Sequence, residues 1–213
     1  MNTASPYRFM GWVLLLMVPL FALWYAGGNL PAAPAFLIAK YSLLWGLPEI
    51  IDSIQLQDTR LLVLTHFGEL NGEIVSAEKA EFQLAYPVDT RLVSYSIPFF
   101  AALMFASGVS QPVERFCRGL VLLWLVMGFG LVSIELKNLM LGLQQQLFER
   151  ATLPLPPPAL IALLYQLNTL MVPTLLPVLL WLWLARDAAV LRQLGARNRA
   201  PAPPAGKDDP ARS

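Results

Sequence analysis

The chain has 213 residues, of which 56% are hydrophobic and only 14% charged, with a formal net charge of +1. A soluble domain carries about 25% charged residues, so a soluble globular enzyme is excluded, as is a disordered polar chain. The near-neutral balance, with no basic stripe interleaved with aromatics, also excludes a nucleic-acid binder. What remains is a protein of the membrane.

Crossing the roughly 30 Å hydrocarbon layer takes about 20 apolar residues in a helix, since lipid offers backbone groups no partner. Four stretches qualify in chain order: residues 9–26, 92–109, 119–134, and the part of 152–185 that follows Pro156, Pro157 and Pro158. Residues 1–26 read as an uncleaved anchor, because bulky Trp24 and Tyr25 stand where a signal-peptide cleavage site needs small residues. The segment 30–51 is apolar but carries Lys40 midway and Pro31, Pro34 and Pro48. Phe36, Leu37, Tyr41, Leu44 and Trp45 fall at helical spacing in it, which predicts a helix lying on the membrane or re-entering it, with Lys40 snorkelling. A fifth span is the alternative. Trp24 with Tyr25, and Trp181 with Trp183, read as interfacial aromatic belts.

Residues 53–86 change period. Ser53 to Gln57 and Glu81 to Tyr86 alternate polar and apolar side chains, and Asn71-Gly72 separates two strand-like runs. That pair tolerates positive φ at both positions, so a β-hairpin is predicted there.

The charges are sorted by side. With four spans and the N-terminus inside, Arg8, Arg115, Arg118 and the basic tail lie in the cytoplasm, and most acids lie outside. The expected fold is therefore an all-α membrane bundle of four transmembrane helices with a small external β-hairpin element, α+β overall. Its parts are an N-terminal span (1–29), an external segment (30–91), a three-helix membrane region (92–185) and a Pro/Ala-rich disordered cytoplasmic tail (186–213). Both termini are expected in the cytoplasm and residues 30–91 on the opposite side of the membrane. There is no internal repeat of the kind from which transporters are built.

The inventory of reactive side chains is thin. The one cysteine, Cys117, and the one histidine, His66, fall on opposite sides of this topology, so no Cys–His pair forms in one chain. No spacing suggests a metal or a cofactor. One polar set stands out near the outer boundary: Glu135 and Asn138 at the end of the third span, and Gln166 and Asn168 early in the fourth. Glu135 and Asn138 are three apart and share a helix face. A charge or amide at that depth costs several kcal/mol unless partnered, so the four are expected either to glue helices together or to line an outward-facing groove for a partner or peptide.

The run Tyr165-Gln166-Leu167, followed by residues 170–184, resembles the last span of the exosortase H-associated membrane proteins. Residues 19–25, Tyr95-Ser96-Ile97-Pro98 and Glu135-Leu136-Lys137 fit the same resemblance. It implies a non-enzymatic accessory protein whose partner, beside the lipids, is an exosortase: a multi-pass membrane cysteine transpeptidase acting on C-terminal sorting tails of exported proteins. It supplies no catalytic positions. Two other readings of the residues stay open, a subunit of a transport or channel complex and an intramembrane enzyme using Glu135 as acid or base.

Overall fold

A computed structural model describes residues 6–192. Of the tail expected to be disordered (186–213), residues 193–213 lie outside the described residues, whereas in 186–192 the chain is described, with Ala188 and Val190 buried.

Helix α1 (Pro6–Ala26) is apolar all round and buries only Phe9 and Val13 among its side chains. A helix without a polar face belongs in lipid. A 3-10 turn (Leu30–Ala32) leads to α2 (Ala33–Gly46), and four strands follow: β1 (Ile51–Gln57), β2 (Arg60–Leu70), β3 (Glu73–Ser76) and β4 (Phe82–Asp89). The chain then enters α3 (Arg91–Ser94), α4 (Ser96–Ala106), α5 (Pro112–Leu143), the short α6 (Gln145–Arg150) and α7 (Pro158–Gln166). A π-helical turn (Leu167–Met171) joins α7 to α8 (Val172–Leu184).

Three helical stretches are long and apolar enough to cross a membrane: Pro6–Ala26, Pro112–Leu143 and Pro158–Leu184. The second expected span is shorter, Arg91–Ala106, and is interrupted at Tyr95. At 1.5 Å per residue it reaches about 24 Å, less than the hydrocarbon thickness. A count of four full spans is therefore not met by length. Trp24 of α1 donates through Nε1 to the Ser94 hydroxyl (3.1 Å), and the Arg91 guanidinium stands 4.3 Å from the Tyr25 ring centroid. At the other end Phe9 stacks on Trp181, 5.2 Å between ring centroids. Trp181 is accordingly buried and donates to Ser107, so of the expected Trp181–Trp183 belt only Trp183 faces outward.

Helix α5 departs most from expectation. It runs 32 residues, about 48 Å, and continues two turns past Glu135 and Lys137 before Gln144, with φ 51°, ends it. One face of it is covered by protein. Trp124 donates through Nε1 to the Pro31 carbonyl (2.8 Å), and a β-carbon on Gly128 would meet the Ile38 side chain at 2.6 Å. These two contacts advance in the same sense along both helices, so α2 runs parallel to α5, outward from the end of α1. Its expected apolar stripe divides accordingly. Phe36 turns in with Ala35, Ala39 and Leu43, while Leu37, Tyr41 and Trp45 stay exposed. Lys40 lies 6.0 Å from the Phe36 ring centroid.

The expected hairpin is the centre of a larger antiparallel sheet. Strand β2 pairs with β4 along one edge and with β1, then β3, along the other. The Asn71-Gly72 turn joins β2 to β3 with φ of 52° and 85°, and a second tight turn at Asp58 (φ 50°) joins β1 to β2. Ala at position 72 would have to sit in the left-handed region. Gly72→Ala should cost about 1–2 kcal/mol. Thermal melting followed in the β-sheet circular dichroism band checks this, and an unchanged midpoint would refute it.

Candidate functional site

Seven residues make nearly two helical turns, so Gly128, Glu135 and Gly142 of α5 lie on one face with a drift of about 20° per step. Each glycine admits a neighbour. Gly128 lets α2 approach, its missing β-carbon 3.4 Å from the Ala35 carbonyl oxygen. A β-carbon on Gly142 would fall 1.9 Å from the Tyr86 hydroxyl of β4. Between the two contacts sits Glu135, 0% exposed, with neither carboxylate oxygen hydrogen-bonded. Its helix neighbours Leu131 and Leu139 are as fully buried.

Tyr86 lies within electrostatic reach of that carboxylate. Burial, and secondarily the charge of Glu135, hold the Tyr86 phenol above its ordinary pKa. Asn138, one turn further on, interacts with Glu135 without a hydrogen bond of normal geometry and accepts one from Lys137 Nζ (3.2 Å). With Tyr86, Pro87, Leu141 and Gly142 it lines an open hollow of about 380 Å³.

The other two residues singled out in the sequence lie elsewhere. Gln166 is exposed. Asn168 sits in the π-helical turn, donates to the Leu164 carbonyl (2.9 Å) and packs against Gly130. Lys137, on the same side as Gly130, stands 4.5 Å from the Tyr165 ring centroid. At 100° per residue Gly130 is about 140° around α5 from Glu135. The four do not form one groove. Glu135 and Asn138 lie beside Tyr86, while Asn168 packs against Gly130 on another side of α5 and Gln166 is exposed. Tyr86 is the member that sequence reading missed. Its one signal was the alternation of residues 81–86, which fixes that it is on a strand but not what the strand packs on.

The reactive side chains stay apart. Cys117 is exposed near the start of α5. His66 Nδ1 lies 3.9 Å from Asp52 on the sheet, beside a cleft of about 370 Å³ that also receives Arg150. Among the described residues no group of three or more His, Cys, Asp or Glu could hold a metal ion.

A family model for exosortase H-associated membrane proteins matches residues 3–188, nearly every residue on which this geometry rests. The chain belongs to that family. No curated protein and no solved structure matches it. In this exosortase H-associated protein the match runs through all three long apolar helices, the sheet and the Glu135 face alike. The family description ties its members to exosortase H and to the membrane.

Proposed function

We propose that this protein is a non-enzymatic accessory subunit that stands in the bacterial inner membrane beside an exosortase-type transpeptidase. That enzyme processes C-terminal sorting tails of exported proteins. The family match over residues 3–188 carries the reading. The chain places four apolar helices in the membrane, with α3 and α4 together as the short second span. Both termini are cytoplasmic and the sheet is periplasmic. The basic end supports this orientation: Arg8, Arg115, Arg118 and Arg186 gather where Phe9 meets Trp181, opposite the sheet.

The face offered to the partner is the exposed row Leu37, Tyr41 and Trp45, which are 49%, 67% and 81% exposed. These residues stand at i, i+4 and i+8 on α2, held by α5 at a height where a neighbouring multi-pass protein can meet them. Tyr and Trp supply most of the energy at such contacts. Glu135 shares the α5 face on which Gly128 admits α2, Asn138 and Tyr86 stand beside it, and the hollow beside Asn138 is the place for a peptide segment.

The test is co-purification from detergent with the exosortase encoded in the same organism. The wild-type chain should retain the enzyme, and Tyr41→Glu with Trp45→Glu should reduce recovery at least about tenfold, since aromatic hot spots contribute about 2 kcal/mol or more. A wild-type chain that elutes alone, and whose deletion leaves tail processing intact, would sink the proposal.

A further inference from the structure

At the end of the bundle away from the sheet, the start of α5 and the end of α8 enclose an open cleft of about 630 Å³. One side is a fixed polar framework. The two terminal nitrogens of Arg115 donate to the Leu184 carbonyl (2.7 Å), the Ser110 hydroxyl (3.2 Å) and both carboxylate oxygens of Asp187. Arg115 thereby closes the C-terminus of α8 onto α5 and pairs with the charge of Asp187.

The remaining charges are unequal. Arg118 pairs one turn back with Glu114, but its side chain is 68% exposed, and an exposed i,i+4 pair is worth only a few tenths of a kcal/mol. Arg186 lines the same cleft and forms no ion pair among the described residues. With Arg115 and Asp187 paired, the cleft is lined by two further guanidinium groups, Arg118 and Arg186, against one further carboxylate, Glu114.

The other side of the cleft is apolar. Leu122 and Trp183 are 36% and 60% exposed there. Close to them in sequence, Val121 and Leu125 on α5 and Leu179 and Leu182 on α8 are exposed as well. A soluble anion would use only the polar half. A molecule with an anionic head and hydrocarbon tails uses both.

We propose that this cleft is a binding site for an anionic phospholipid, with Arg118 and Arg186 holding the headgroup phosphate, Trp183 at the glycerol level and the acyl chains along Leu122 and Leu182. Arg115 and Asp187 are positioning residues that set the distance between α5 and α8. The site stands independently of the exosortase reading, because it lies at the opposite end of the bundle from α2 and the sheet.

The test uses the full chain in phosphatidylcholine vesicles containing brominated phosphatidylglycerol as a minor component, read by quenching of the fluorescence lost in Trp183→Phe. Quenching should exceed that by the same amount of brominated phosphatidylcholine. Arg118→Gln and Arg186→Gln should each weaken the phosphatidylglycerol dependence about fivefold, as expected for one basic residue at a membrane surface. The circular dichroism of both variants should match the parent, since neither side chain supports the fold. Equal quenching by the two lipids would overturn the proposal. So would an excess that survives both substitutions, because that would be enrichment of anionic lipid around the whole basic end. Inorganic phosphate should leave the quenching unchanged, and relief by phosphate would mean that a soluble anion, not a lipid, is the ligand.

Discussion

Glu135→Met should make the protein more stable and a poorer accessory subunit. The wild-type carboxyl is completely buried, flanked by Leu131 and Leu139, and neither oxygen has a hydrogen-bond partner. Removing an unsatisfied buried polar group recovers about 1–3 kcal/mol of desolvation. Methionine follows the same unbranched path and fills the space without a polar atom. Two companions fix the interpretation. Glu135→Gln keeps an unsatisfied polar end and should gain less. Glu135→Ala opens a cavity and should lose stability, since truncating a large buried side chain to Ala costs about 2–5 kcal/mol. The melting order in detergent should therefore be Met above Gln, Gln above the parent, and Ala lowest. A melting point for Glu135→Met below the parent would show that the carboxyl stabilises the fold. A group that costs stability is expected to serve function, so recovery of the exosortase should fall in Glu135→Met although the fold is firmer. Unchanged recovery would remove Glu135 from the site.

Glu135 was legible in the sequence because it is the acid that closes the uncharged run 119–134. What surrounds it was not. Glu135 and Lys137 read as the point where the third span meets water, yet Glu, Leu, Lys and Met are all good helix formers, and nothing in residues 135–143 stops the helix. Hydropathy marks where lipid ends, not where a helix ends. The Asn71-Gly72 turn was legible because its chemistry is local, whereas the pairing of β2 with both β1 and β4 depends on contacts distant in sequence. Counting residues along the last apolar stretch puts Asn168 partway along it, and Asn168 packs against Gly130, near the middle of α5. Rotation did not follow. Counting from Ala159 places Gln166 and Asn168 at a height but leaves open which side of α5 they meet. Trp181 failed for a related reason: its place near Arg186 suited a belt, while Phe9, far away in sequence, supplies the ring that buries it.

The largest loss is expected for Gly68→Ala, in the middle of the sheet. Gly68 pairs with Val75 of β3 on one side and Gln83 of β4 on the other. A β-carbon there would stand 2.2 Å from the Ala80 β-carbon and 2.3 Å from the Phe82 carbonyl oxygen. Neither is the end of a flexible side chain, so β2 and the segment leading into β4 must separate. Just before this point the β2–β4 register shifts, and side chains stitch the gap. The Thr65 hydroxyl donates to the Leu84 carbonyl (3.1 Å), and Gln83 Nε2 donates to the Thr65 carbonyl (2.8 Å). Displacing β4 would break those bonds and lift Tyr86 from Gly142. Overpacking of this kind costs about 3 kcal/mol or more when backbone must move, beyond the loss expected for Gly72→Ala. Limited proteolysis in detergent should then cut within residues 51–89 while the apolar helices stay protected. Adding Ala80→Gly removes the first clash but leaves the Phe82 carbonyl in place, so it should restore only part of the resistance. Full restoration would show that the Ala80 methyl alone excludes a side chain at position 68, and parent-like resistance in Gly68→Ala itself would refute the close approach of β2 to Phe82.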